Sequence, residues 1–124
     1  MEKMTHDQMI AEFGEPGVEN PKIVDLIELD AESGHVVLVM KERRDWVASA
    51  EQFRQIEEKI NRYMGYVLDG HLVLHYPQYQ GKRVQIRLDC AHEPRGEAAR
   101  FVGAAGQSIR EYGLDFVVRV APVA

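Results

Sequence analysis

The stretch His35-Val-Val-Leu-Val-Met-Lys41 decides the fold, because its five central residues are all apolar and three of them are β-branched. A short, continuous apolar run of this kind is typical of a strand that is buried on both faces in the middle of a sheet. Residues 23–30 predict a preceding strand, and Asp30-Ala-Glu-Ser-Gly34 predicts a turn in which Gly34 can adopt a positive φ. The two strands should therefore form a hairpin.

A long amphipathic helix is predicted after the hairpin. Its start is marked by the capping box Ser49-Ala-Glu-Gln52, in which Ser49 caps the helix and Gln52 can reach back to the cap. An apolar stripe then runs through residues 53–68. The opposite, solvent-facing side is predicted to carry the charged residues Glu51, Arg54, Glu57, Glu58 and Lys59. Asp69-Gly70 should break or kink this helix, and residues 72–76 fit either a further helical turn or an extended segment.

The C-terminal third of the chain is predicted to form a strand, a helix and a second strand. Residues 84–88 alternate between apolar and polar side chains, which indicates a half-buried strand. A helix is expected at about residues 96–112, with Gly103 and Gly106 on the side that packs closely against a neighbour. Residues 116–120 alternate again and predict the last strand.

The predicted order of elements is therefore β-β-α-β-α-β. A connection from a strand through a helix to a parallel strand of the same sheet is a right-handed crossover. If each crossover joins neighbours, strands two to four run parallel and strand one is antiparallel at an edge. We expect an α+β or α/β two-layer sandwich, with a four-stranded mixed sheet and two helices on one face. Residues 21–124 would form this single domain, and residues 1–20 a partly flexible N-terminal arm.

Composition restricts the class of protein. The 124 residues carry a net charge of -5, which disfavours a general nucleic-acid surface or an anionic-membrane surface. Cys90 is the only cysteine, so no disulfide bond can form within the chain, as suits a reducing compartment. The N-terminus lacks the apolar core of a secretory signal, and no apolar run reaches the ~18 residues of a membrane span. We therefore expect a cytoplasmic protein of bacterial type that binds neither nucleic acid nor membrane.

A first candidate ligand-binding site lies where the second and third strands end. Arg43, Arg44 and Trp46 follow the second strand, and His92 and Arg95 follow the third. Because the carboxyl ends of parallel strands meet at one edge of a sheet, these residues could line a crevice for a planar anion. The simpler interpretation is that Trp46 covers the end of the core while the arginines pair with neighbouring carboxylates.

Two further candidates are weaker. His71 and His75 have the i, i+4 spacing that zinc sites use, but spacing assigns no third ligand, so we predict structural or solvent-facing histidines and no metal. Residues 90–95 come close to a Cys-x5-Arg phosphate loop, yet they are one residue short and lack glycine. Strand alternation places Cys90 inward, which favours a buried, inert thiol. The sequence contains no complete catalytic or cofactor motif, which favours a non-enzymatic protein.

The sheet face opposite the two predicted helices is a candidate interface. It would carry Arg87, Val117 and Arg119, together with apolar surface from the hairpin. Exposed apolar patches of more than a few hundred Å² are uncommon on monomers, so a second copy of the chain could cover this face. The competing account is that the N-terminal arm folds over it within one chain, through Met9, Ile10 and Phe13.

Four short segments carry a family resemblance. They are Val24-Asp-Leu-Ile27, Arg43-Arg-Asp-Trp46, Tyr66-Val-Leu-Asp-Gly70 and Val84-Gln-Ile-Arg-Leu-Asp-Cys90. They resemble a family of small uncharacterised bacterial proteins, a domain of unknown function, over about residues 22 to 120. The resemblance implies a stand-alone single-domain bacterial protein, and it implies no catalytic residues.

Two functions from different classes follow from these observations. The favoured one is a non-enzymatic protein-interaction or regulatory module of unknown specificity that forms a homodimer or binds another protein. The alternative is a small enzyme or anionic-ligand-binding protein that uses the crevice at the carboxyl ends of the parallel strands.

Overall fold

The computed structural model, which describes residues 16–20 and 23–121, shows an open four-stranded sheet with helices between the strands. The class and the order of strands and long helices are as predicted, with one additional short helix after the first long one. The elements are β1 (Leu26–Leu29), β2 (Val36–Glu42), α1 (Ala50–Leu68), α2 (His71–His75), a 3-10 turn (Pro77–Tyr79), β3 (Val84–Cys90), α3 (Glu97–Glu111) and β4 (Asp115–Val120).

The strands are arranged in the order β1-β2-β3-β4, so each strand neighbours the next one in the sequence. β1 is antiparallel to β2, whereas β2, β3 and β4 run parallel. The five apolar residues 36–40 are all buried, which confirms the central position expected for this strand. Gly34 in the turn adopts a φ of 74°. The β1 strand is shorter than the predicted range of residues 23–30, because only Leu26–Leu29 pair with β2.

One hydrophobic core lies between the sheet and the helices. Alternate residues of β2 and β3, such as Leu38 and Ile86, share this core with Ile60 of α1 and Ile109 of α3. Both long helices therefore pack against the same face of the sheet, as predicted. The opposite face is formed by the other set of alternate strand residues.

The first turn of α1 confirms the predicted cap and shows one difference. The Ser49 side chain accepts a hydrogen bond from the Gln52 backbone N–H at 3.1 Å. The Gln52 side chain does not bond to the cap residue. Its Oε1 accepts instead from the backbone N–H groups of Val47 and Ala48, at 3.0 and 3.1 Å. This contact supports Ala48 at a φ of 52°, which is unfavourable for a residue with a side chain.

The segment after α1 is helical. Gly70, with a φ of 83°, separates α1 from α2, so the Asp69-Gly70 break is real and a helix resumes immediately after it. Leu72 is buried and fixes this five-residue helix to the core. Pro77 begins the 3-10 turn that follows.

The two glycines of α3 differ in their surroundings. A Cβ atom on Gly106 would lie 2.9 Å from Cδ2 of Phe116, so Gly106 permits the close approach of α3 to β4. A Cβ atom on Gly103 would meet nothing within 4 Å, so the prediction of close packing there is wrong. Gly103 lies on the exposed side of the helix.

Residues 16–20 are joined to the core. Val18 is completely buried, and its backbone N–H donates to the Lys41 carbonyl oxygen at 3.0 Å. Residues 1–15, which include the predicted short helix with Met9, Ile10 and Phe13, lie outside the described residues, and the predicted boundary at residue 20 stays a prediction.

Within the described residues, no helix is long and apolar enough to cross a membrane.

Candidate functional site

The sheet face opposite the helices brings the three predicted interface residues together. Arg87 of β3 pairs in register with Val117 of β4, and Asp89 of β3 pairs with Arg119. Val117 is 42 % exposed, and Leu26, which lies in the same row across the sheet at the β1 edge, is also 42 % exposed. This surface, formed by the outward residues of the four strands, is called the open face below.

A ladder of charged side chains crosses the open face. Arg87 lies 3.1 Å from Glu28 and 2.8 Å from Asp89, and Arg119 lies 2.6 Å from Asp89. The bridge from Glu28 on β1 to Arg87 on β3 must pass over β2. Val37 and Val39, which β2 contributes to this face, are only 2 % and 0 % exposed. The prediction that the hairpin adds apolar surface to this face is therefore wrong for β2, and the exposed apolar groups lie at the two edges of the sheet.

The predicted crevice at the carboxyl ends of β2 and β3 is partly assembled. Trp46 donates its indole N–H to the His92 carbonyl oxygen at 2.8 Å, and His92 Nε2 lies 2.8 Å from Asp45 Oδ1. These contacts tie the loop after β2 to the loop after β3. Trp46 also packs against the core, as the simpler interpretation of the sequence has it.

The three arginines of that crevice are directed elsewhere. Arg43 donates to the Pro16 carbonyl oxygen at 2.8 Å, and Arg95 pairs with Glu93 at 3.0 Å. Arg44 binds both carboxylate oxygens of Glu42 through Nε and Nη2, at 2.9 and 2.7 Å. Hydrogen bonding to this carboxylate raises the pKa of Arg44. The structure therefore brings Trp46 and His92 together but does not gather the guanidinium groups around them.

Glu42 is a completely buried carboxylate at the end of β2. Besides Arg44, it accepts a hydrogen bond from the Gln52 side-chain amide at 3.3 Å. Buried carboxylates are tolerated when they are paired and hydrogen-bonded, and Glu42 meets both conditions. Its role is to connect the end of β2 with the start of α1.

Cys90 is the thiol of the near-match to a phosphate loop, and the structure places it in the core. Its side chain is completely buried, as predicted. Burial raises the pKa of Cys90 to about 12, and the nearby Glu42 and Asp89 carboxylates act in the same direction. A thiol in this state is a poor nucleophile at neutral pH.

His71 and His75 lie at the two ends of α2, and both are exposed. Their ring centroids are 6.4 Å apart. His75 Nδ1 lies 2.9 Å from the hydroxyl of Tyr66, a residue of α1. Among the described residues, no group of three or more His, Cys, Asp or Glu side chains could hold a metal ion.

The prediction that the charged residues of α1 lie on its solvent-facing side is wrong for Lys59, which forms a buried ion pair. Lys59 of α1 and Asp25 have completely buried side chains, and Lys59 Nζ lies 2.5 Å from Asp25 Oδ1. Lys59 also donates to the carbonyl oxygens of Gly17 and Asn20, which fixes residues 16–20 to α1. Burial lowers the pKa of Lys59, and the Asp25 charge opposes this effect. The spacing in the sequence could have indicated this burial, because Lys59 follows Ile56 by three residues and so lies on the apolar side of the helix.

Comparison with known proteins gives a match to a protein family. A family model described as a family of unknown function, DUF6572, matches residues 17–122. No curated protein and no solved structure matches the chain. Because the matched region is most of its length, the chain belongs to this family, and the predicted resemblance to a domain of unknown function is confirmed. The bacterial origin stays a prediction.

Proposed function

We propose that this member of the DUF6572 family is a non-enzymatic, cytoplasmic protein-interaction module of bacterial origin, and that it acts as a homodimer through its open face. The observation that carries the proposal is the packing of both long helices on one side of the sheet. On the other side, Leu26 and Val117 are exposed at opposite edges of the same row. A second copy packed on this face would remove the apolar surface of both residues from water.

The charge of the open face supports a second copy as the partner. The outward residues of the four strands include three acidic and three basic side chains: Glu28, Asp89, Asp115, Lys41, Arg87 and Arg119. The whole chain has a net charge of -5, so this face is less acidic than the protein as a whole. A face with equal numbers of acidic and basic side chains does not favour a strongly charged partner. The same face of a second copy is equally balanced in charge and can be electrostatically complementary to it.

Symmetry supports the same partner. A two-fold axis parallel to the strands, between β2 and β3, would exchange the two edges of the sheet and place Leu26 of one copy over Val117 of the other. The apolar contact would then occur twice. The same operation would place Glu28 over the Arg83–Asp115 pair of the second copy, whose Arg83 side chain is well exposed.

The alternative, a small enzyme or anionic-ligand-binding protein that uses the crevice after β2 and β3, has less support. Trp46, His92 and Asp45 do converge there. An anion site needs guanidinium groups that are aimed at the ligand, whereas Arg44 and Arg95 are paired with carboxylates of this chain. We therefore retain the interaction module as the proposed function.

Sedimentation velocity at tens of micromolar tests the proposal. The wild-type chain is expected to sediment as a dimer, and Val117→Glu is expected to shift it towards monomer without changing the circular dichroism spectrum. Val47→Glu is the matched control, because Val47 is 69 % exposed in the loop after β2 and should leave the dimer intact. A monomeric wild type would overturn the proposal and favour the account in which the N-terminal arm covers this face.

A further inference from the structure

Two imidazole groups lie one helical turn apart on the surface of α2. His71 and His75 are exposed, and they stand on a helix whose Leu72 is buried in the core. The backbone beneath the two rings is therefore fixed, while the rings themselves face solvent. Residues four apart on a helix project from the same side, which allows two side chains to reach one ion.

Tyr66 orients one of the two rings. Its hydroxyl lies 2.9 Å from His75 Nδ1, and its ring lies 5.6 Å from the His75 ring. When His75 donates its Nδ1–H to the hydroxyl oxygen, Nε2 keeps a free lone pair that can coordinate a metal. Histidine ligands of metals are commonly held in this way by a second hydrogen bond.

We propose that His71 and His75 form a surface site for copper(II), with the two imidazoles as protein ligands and water in the remaining positions. Copper(II) accepts tetragonal coordination by nitrogen and oxygen, and it stands at the top of the affinity order of divalent first-row metals. A structural zinc site needs four ligands, and the described residues provide no cluster of three or more. Zinc and nickel(II) should therefore bind this pair more weakly than copper(II).

For both imidazoles to bind one ion, the two rings must first move slightly closer together. The ring centroids are 6.4 Å apart, whereas two imidazoles that bind one ion at ~2.0 Å have centroids roughly 5 Å apart. Tyr66 holds His75 through its hydroxyl, so rotation of the exposed His71 side chain about its torsions would close this distance. Rotamer changes of exposed side chains are fast and inexpensive compared with backbone rearrangement.

Titration of the full-length chain with copper(II), followed by calorimetry and electron paramagnetic resonance, tests the site. One ion per chain should bind, and its resonance spectrum should show hyperfine coupling to two nitrogen ligands. His71→Ala and His75→Ala should each weaken binding at least tenfold. His92→Ala, which removes an exposed histidine from the loop after β3, is the matched control and should leave the affinity unchanged.

Tyr66→Phe separates positioning from folding. It keeps the aromatic ring but removes the hydroxyl, so it should weaken copper(II) binding severalfold and alter the resonance spectrum while the melting temperature stays unchanged. Wild-type affinity in the His71→Ala/His75→Ala double variant would overturn the proposal and would place the ion elsewhere, for example at His6, which lies outside the described residues. A Tyr66→Phe variant with unchanged affinity and spectrum would contradict the positioning role.

Discussion

Replacement of Lys59 by methionine is expected to destabilise the fold by about 3–4 kcal/mol. Methionine keeps the length of the unbranched side chain but removes the ammonium group. The structure then loses three hydrogen bonds, to Asp25 and to the carbonyl oxygens of Gly17 and Asn20. Removal of one partner of a buried ion pair costs about 3–5 kcal/mol, because it leaves the other charge uncompensated. Asp25 retains two backbone N–H donors, from Gly17 and Lys41, which places the expected loss in the lower part of that range.

Urea unfolding followed by circular dichroism measures this loss. Lys82→Met is the matched control, because Lys82 is exposed and its replacement should change the free energy of unfolding by less than about 0.5 kcal/mol. The double variant Lys59→Met/Asp25→Asn should lose less than the sum of the two single variants, since both singles leave an uncompensated group. A Lys59→Met variant within about 1 kcal/mol of wild type would refute the reasoning, because the pair would then contribute no more than an exposed one.

Three further predictions follow from the described contacts. Gly106→Ala should destabilise the fold by about 1–3 kcal/mol in urea unfolding, because the added Cβ meets the Phe116 ring. Gly103→Ala should instead stabilise the fold by up to about 1 kcal/mol through helix propensity. Equal effects of the two variants would contradict the assigned packing. Ser49→Ala should cost about 1 kcal/mol through loss of the helix cap, and an unchanged urea midpoint would count against that cap. Cys90 should resist thiol reagents at pH 8 until the chain unfolds. Its pKa is raised from 9.0 to about 12 in the folded state, so above pH 9 only the unfolded chain loses the thiol proton. The folded state should therefore lose stability as the pH rises above 9. Rapid labelling of the native protein would contradict its burial.

The sheet and the helix order were predictable because their signals are local and periodic. The apolar run at residues 36–40 and the capping box at residues 49–52 each predict an element without knowledge of the rest of the chain. The helix after Gly70 was left open by the sequence because its five residues are too few to show a period. Its formation depends on the burial of Leu72, which is a tertiary contact.

The side-chain contacts of the candidate sites were less predictable. One of the two interpretations of the sequence had Arg43, Arg44 and Arg95 lining a crevice with Trp46. In the structure each guanidinium group turns to an acceptor of its own. Which acceptor is nearest depends on the folded loops, and no spacing rule contains that information. The Lys59–Asp25 pair was missed for a related reason: a lysine on a helix is usually solvent-exposed, and its partner lies 34 residues away in the sequence. By contrast, strand alternation and register placed Arg87, Val117 and Arg119 correctly on one face.

The central claim, that a second copy occupies the open face, is tested most directly by nuclear magnetic resonance on a mixture of isotope-labelled and unlabelled chains. Isotope-filtered nuclear Overhauser spectra report only contacts between methyl groups of different copies. We predict such contacts between Val117 of one copy and Leu26 of the other, and their loss in Val117→Glu. The absence of any contact between copies at concentrations of hundreds of micromolar, or contacts confined to the helical side at residues such as Leu74, would contradict the account.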